Sequence, residues 1–180
     1  MPAHVLFKRS MLVVAGAAAA LALGMAALII RLTLADPFGG PAHPTDAAML
    51  AQFARVRPSL ESIVSMLEQD TGIQRLAPDF TRPDPPPIPP ERLADYRARL
   101  QAVGIAHGLS YYGGAVDFLV STRGLSISGS GKSFVHAEHA HPDATVIDGD
   151  LDAAVDALAD KDVLLQRRIG DGWWLQLDRR

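Results

Sequence analysis

Residues 107–136 read HGLSYYGGAVDFLVSTRGLSISGSGKSFVH, and this stretch decides the class of fold. It contains four short segments rich in β-branched and aromatic residues, at 107–112, 115–121, 125–128 and 132–136. The turns that separate these segments contain glycine and lie at 113–114, 123–124 and 129–131. Turns at such short intervals are typical of antiparallel strands joined by hairpins. We therefore predict an antiparallel meander.

The residues after this meander predict a short helix and one more hairpin. Asp150 has the side chain of a helix N-cap and precedes a short apolar-periodic segment. Residues 163–169 and 173–177 are separated by Gly170-Asp171-Gly172, and we expect them to pair as two further strands.

The residues before the meander predict helices. Thr45 is an expected N-cap for a helix whose apolar residues are spaced by three and four, with Pro58 as a kink or break. Pro90 predicts the start of a second helix that ends at Gly104, with Arg92, Arg97 and Arg99 facing solvent. Seven prolines at 78–90 argue against a regular helix or sheet there and predict an extended strap on the surface. The predicted class is α+β, with a helical region first and a small, mainly antiparallel sheet after it.

An apolar run near the start predicts a membrane anchor. Residues 11–30 are 20 residues without a charged side chain, with Lys8 and Arg9 before them and Arg31 after them. At about 1.5 Å per residue, a helix of this length reaches roughly 30 Å, the thickness of the hydrocarbon core. A cleaved secretory signal is the alternative, but its apolar region is typically shorter. We predict a transmembrane helix over 11–31, a cytosolic segment 1–10, a linker 32–44 and an extracytoplasmic domain 45–180.

Charge predicts how this anchor is oriented. Lys8 and Arg9 lie on one side of the run, while Arg31 is the only cation on the other side before Arg55. The positive-inside rule then places the long part of the chain outside the cytoplasm. For a bacterial source this is an inner-membrane protein with a periplasmic domain. A close helix–helix seam within the anchor is a further hypothesis, from the four-residue spacing of Gly16, Ala20 and Gly24.

Composition argues against several classes of function. The chain has 17 Lys+Arg and 20 Asp+Glu, a net charge of −3, so a broad electrostatic grip on nucleic acid is not expected. It has no cysteine, which excludes disulfides, thiolate zinc sites, iron–sulfur clusters and a cysteine nucleophile. The lipid bilayer and envelope proteins remain the expected partners.

Two motifs are similar to ligand loops but lack the required context. Residues 126–133, SISGSGKS, are similar to a phosphate-binding loop, but the residues after Lys132 do not predict the helix that such a loop opens. We expect a glycine hairpin with an exposed lysine there, and no nucleotide. Asp148, Asp150 and Asp152 begin like a calcium loop, but alanine stands at its sixth and twelfth positions. These aspartates are interpreted as a solvent-exposed helix start.

Histidines and tryptophans supply the remaining candidate site residues. His136, His139 and His141 are a candidate site for zinc or another transition metal, although their spacing matches no common enzyme signature. We favour a surface turn that holds them incidentally, and therefore no cofactor. Trp173 and Trp174 are adjacent in a predicted strand, so they point to opposite faces. One is expected in the core, and the other is either an interaction residue or covered by a helix.

Two segments carry a resemblance. Residues 121–134, STRGLSISGSGKSF, and 168–175, RIGDGWWL, resemble small uncharacterised proteobacterial proteins with one N-terminal membrane span. That resemblance implies a location and a type of domain, and no activity. The resulting function hypothesis is a membrane-anchored, non-catalytic binding or assembly domain in the bacterial envelope. The alternatives are a metal-binding protein or metal-dependent hydrolase that uses the three histidines, and a secreted domain released by signal cleavage.

Overall fold

A computed structural model describes residues 21, 23–27, 29, 41–125, 128–158 and 162–180. The chain divides into two compact units, Met1–Gly40 and Pro41–Arg180. The described residues of the first unit are helical and exposed. Most of the predicted span 11–31, including Gly16 and Ala20, lies outside the described residues. Within the residues that are described, no helix combines the length and the apolarity that crossing a membrane requires.

In the described part of the second unit, three helices begin at the predicted residues. Helix α1 spans Asp46–Gln69, and the side chain of Thr45 caps it by accepting a hydrogen bond from the amide of Ala48. Helix α2 spans Pro90–Ala102, with proline in its first turn. Helix α3 spans Leu151–Ala157 and is capped by Asp150, which accepts from the amide of Ala153. Pro58 lies inside α1, which is one continuous helix.

Among the described residues, eight strands form one sheet, in the order β2-β1-β3-β4-β5-β8-β7-β6. Their bounds are β1 Arg75–Leu76, β2 Thr81–Arg82, β3 Leu109–Tyr112, β4 Ala115–Leu125, β5 Ser128–His136, β6 Thr145–Val146, β7 Val163–Gly170 and β8 Trp173–Arg179. All neighbours pair antiparallel except β6 and β7, which are parallel. The α+β class and the mainly antiparallel sheet are confirmed.

Two details of the predicted sheet are wrong. Strands β4 and β5 pair along their whole length where three short segments were predicted, because Gly124 and Gly129 pair with each other inside β4 and β5 instead of forming turns. The proline-rich strap contributes strand β2, since residues 79–82 are free of proline and keep the amide hydrogens that pairing requires. The first two strands of the sheet, β1 and β2, therefore precede α2 in the chain.

Aromatic side chains join α1 to one face of the sheet. The ring of Phe53 on α1 lies 5.4 Å from the ring of Phe134 and 5.2 Å from the ring of Trp173. Phe118 stacks on Trp173 at 5.9 Å. Rings packed at these distances bury large apolar areas and add favourable edge contacts, so this contact fixes α1 on β4, β5 and β8.

Candidate functional site: a buried lysine cluster

A fully buried lysine lies in the central strand β5. The exposed fraction of the Lys132 side chain is 0%, and its Nζ lies 2.7 Å from Asp46 Oδ1 and 2.6 Å from Asp152 Oδ1. Nζ also donates a hydrogen bond to the carbonyl of Pro44 at 3.0 Å. An ammonium group has three donor hydrogens, and the three acceptors use them all. We call Asp46, Lys132 and Asp152 the lysine cluster.

The lysine cluster connects the starts of two helices. Asp46 is the first residue of α1, and Asp152 lies in the first turn of α3. Carboxylates are favoured at helix N-termini, where backbone amides point outward. Asp46 Oδ2 accepts from the amide of Leu151 at 2.7 Å, and Asp152 Oδ2 accepts from the amide of Asp46 at 3.3 Å. The cluster therefore fixes α1, α3 and β5 to one another.

A histidine lies next to the lysine cluster and joins strands β4 and β5. The Nδ1 atom of His43 is 2.7 Å from Ser121 Oγ on β4, and its Nε2 atom is 2.7 Å from Ser130 Oγ on β5. Burial lowers the pKa of His43 from its usual 6.5, and the positive charges of Lys132 and Arg123 lower it further. A neutral imidazole has one donor and one acceptor nitrogen, so it binds one serine in each role.

The contacts of this region can be compared with those of a nucleophile–base pair and with those of a cation site. A serine hydroxyl that contacts a histidine is one feature of a catalytic nucleophile and its base. In such sites a third group, commonly a carboxylate, binds the other nitrogen of the histidine and orients it. Here the second ring nitrogen of His43 meets another serine. Carboxylate oxygens of Asp46, Asp150 and Asp152 lie within 4.8 Å of one another, a spacing that suits a cation. The ammonium of Lys132 already supplies positive charge to two of these three groups.

The prediction that Lys132 is exposed is wrong. Side chains alternate between the two faces of a strand, and Lys132 lies on the face that the helices cover. Its burial is possible because Asp46 and Asp152 neutralise it at the helix starts. Asp148 and Asp150 are exposed, as the interpretation of a solvent-exposed helix start requires, whereas Asp152 pairs with Lys132 and keeps 39% of its side chain exposed. The prediction missed Asp46 and His43 as site residues, since nothing in their local sequence marks a partner in β5.

The three candidate metal-ligating histidines lie in different surroundings. His136 is half-buried in β5, with its ring 4.9 Å from the ring of Trp173. His139 is exposed beside Glu138, and the Nδ1 atom of His141 accepts a hydrogen bond from the amide of Asp143. Among the described residues, the three histidines do not bring their ring nitrogens within reach of one ion.

Both tryptophans of β8 are buried. Trp173 is 1% exposed in the core, and Trp174 is 9% exposed on the opposite face of the sheet. The indole nitrogen of Trp174 donates to the carbonyl of Ala137, and the backbone amide of His141 donates to the side chain of Gln166. The segment after β5 thus covers Trp174, where the sequence suggested either a helix or an exposed interaction residue.

A partly buried polar contact fixes α2 to the end of α1. Tyr96 is a buried residue, and its hydroxyl donates to Asp70 Oδ2 at 2.8 Å. Arg92 Nε donates to the same oxygen at 2.6 Å. Burial raises the pKa of Tyr96 above its usual value, and the carboxylate of Asp70 raises it further. The contacts of Tyr96 and Arg92 with Asp70 therefore join the two helices.

Comparison with known proteins identifies no relative. No protein-family model, no curated protein and no solved structure matches the chain.

Proposed function

We propose that this chain is a single-pass membrane protein whose residues 45–180 form a non-catalytic binding domain outside the cytoplasm. The apolar run at residues 11–30 is the observation that carries the anchor. The cations before it give the orientation. In a bacterium, the domain would lie in the periplasm, on the inner membrane.

The non-catalytic part of the proposal rests on how the reactive groups are used. The three donors of Lys132 go to Pro44, Asp46 and Asp152, and both nitrogens of His43 meet serine hydroxyls. Groups held in this way stabilise the junction between helices and sheet. The same contacts fix residues 43–46, at the start of the proposed domain, to strands of the sheet.

Extraction of membranes with alkaline carbonate tests the anchor. A charge at the centre of a membrane helix costs about 2.5–3.5 kcal/mol. We expect the wild-type chain to stay in the membrane pellet and a variant with Leu23→Glu and Met25→Glu to be lost from it. Val146→Glu is the matched control, because Val146 is 51% exposed and lies in the second unit. Wild-type protein in the soluble fraction, with a mature N-terminus near Asp36, would establish the secreted alternative instead.

A fluorophosphonate probe tests the absence of catalysis at the serines that touch His43. Such probes react with serines that a neighbouring base activates. We expect no adduct on Ser121 or Ser130 in the folded protein. An adduct that forms in the wild type and disappears in His43→Gln would show an activated nucleophile and would overturn the non-catalytic proposal.

A further inference from the structure

A cavity of about 450 Å³ lies between the C-terminal end of α2, the loop at 104–108 and the chain that leaves β1. Small-molecule sites typically measure about 300–1,000 Å³ and are mostly apolar. The floor of this cavity is buried and apolar, and the rim is exposed. The main apolar residues are Leu76, Ala77, Leu100 and Ile105 on the floor and Pro78 and Ala106 at the rim.

One glycine shapes the wall of the cavity. Gly108 has a φ of +82°, and a Cβ atom there would overlap the carbonyl oxygen of Leu76. Only glycine therefore lets the loop at 104–108 approach β1 this closely. The loop and the end of α2 both contribute residues to the lining of the cavity.

Arg97 is the charged residue that lines the cavity. It is half-buried, and its Nε donates to the carbonyl of Ala77 at 3.3 Å. Its neighbours on α2 have carboxylate partners: Arg92 pairs with Asp70 and Arg99 pairs with Asp95. Within the part of the chain that the structure describes, no carboxylate forms an ion pair with Arg97. The sequence predicted this side chain in solvent, and the structure places it in the wall of an apolar cavity.

We propose that this cavity binds an aliphatic monocarboxylate, with its hydrocarbon chain on the apolar floor and its carboxylate on Arg97. The planar guanidinium presents paired N–H groups that match the two oxygens of a carboxylate. The side-chain amide of Gln101, the other polar side chain of the lining, is a second donor at the exposed rim. This inference names a ligand class for the binding domain proposed above and rests on that proposal for a role in binding.

Photolabelling of the full chain in phosphatidylcholine nanodiscs tests the site. The probe is dodecanoate with a diazirine near its methyl end, and labelled peptides are mapped by mass spectrometry. We expect label within residues 76–78 and 97–108, lost on competition with dodecanoate and retained with dodecanol, which lacks the charge. Because a hydrogen bond to a charged group is worth a factor of about 10 or more, Arg97→Gln should lower cavity labelling by at least that factor. The matched control, Arg99→Gln, should leave it unchanged.

A second pair of variants keeps the test valid if Arg97→Gln unfolds the domain. Ala106→Phe adds a ring at the exposed rim of the cavity and should block labelling, while Ala98→Phe adds the same ring at an exposed position of α2 outside the lining. Label confined to the first 40 residues, labelling that Ala106→Phe does not lower, or stronger competition by dodecyl phosphate than by dodecanoate would overturn the proposal. If carbonate releases the chain from membranes and the cavity is still labelled, the proposed anchor is refuted and the proposed ligand site is supported. If the chain stays in the membrane pellet and the cavity is not labelled, the anchor is supported and the ligand site is refuted.

Discussion

Replacing Lys132 with methionine removes a buried charge and keeps most of the side-chain volume. In the wild type, the ammonium contacts Asp46, which has only 2% of its side chain exposed, and the more accessible Asp152. The variant leaves the Asp46 carboxylate in the interior without its cation. The amide of Leu151 remains as its hydrogen-bond donor.

The expected loss follows from the burial of the pair. Removing one partner of a buried ion pair typically costs about 3–5 kcal/mol, because the other charge stays desolvated. Small domains are stable by only about 5–15 kcal/mol, so Lys132→Met should remove a large fraction of the free energy of unfolding. Asp152→Asn is the matched comparison. The Asp152 side chain is 39% exposed, and pairs near solvent are typically worth about 0–1 kcal/mol.

Urea unfolding of the full chain measures these losses. Trp173 and Trp174 are both buried, so their fluorescence reports the transition. The double variant Asp46→Asn with Lys132→Met removes both charges, and its loss should be smaller than the sum of the two single losses. A loss below about 1 kcal/mol for Lys132→Met, the size expected for an exposed pair, would refute the buried cluster.

Three further predictions concern other contacts. Tyr96→Phe leaves Asp70 with one donor fewer and should lower the free energy of unfolding by about 1–3 kcal/mol in the same urea assay. Gly108→Ala should prevent folding or greatly lower the melting temperature measured by circular dichroism, since its Cβ would overlap a backbone carbonyl; a melting temperature equal to wild type would contradict this. The pKa of His43 is lower in the folded chain than its ordinary 6.5, so the unfolded chain takes up the proton first as the pH falls. Unfolding titrations should therefore show stability that is full above pH 6.5 and declines below it toward the lowered pKa. His43→Gln should remove that part of the decline, and an unchanged slope in His43→Gln would contradict the assignment.

Local features of the fold were predictable because their causes are local. Thr45 and Asp150 cap helices through hydrogen bonds to amides three residues away, and Pro90 begins α2. The ends of β4 and β5 were predicted wrongly, because glycine commonly marks a turn and these two strands contain several glycines. Whether Gly124 and Gly129 turn or pair depends on β4 and β5 together.

The candidate site was not predictable because its partners are distant in sequence. Lys132 and Asp46 are 86 residues apart, and His43 and Ser130 are 87 residues apart. A lysine between glycine and serine is typical of an exposed hairpin, and only the packing of two helix starts on β5 makes its burial favourable. Arg97 illustrates the same limit, because the cavity that it lines is formed by residues from β1 to the loop after α2.

Cysteine labelling of spheroplasts tests the proposed topology most directly. The chain has no cysteine, so a single introduced cysteine gives one label site. Tyr112 is 55% exposed in the domain, and Ser10 lies before the apolar run. With a membrane-impermeant maleimide, the proposal predicts that Tyr112→Cys is labelled in intact spheroplasts and Ser10→Cys only after permeabilisation. Labelling of Ser10→Cys from outside, with Tyr112→Cys protected until permeabilisation, would contradict it.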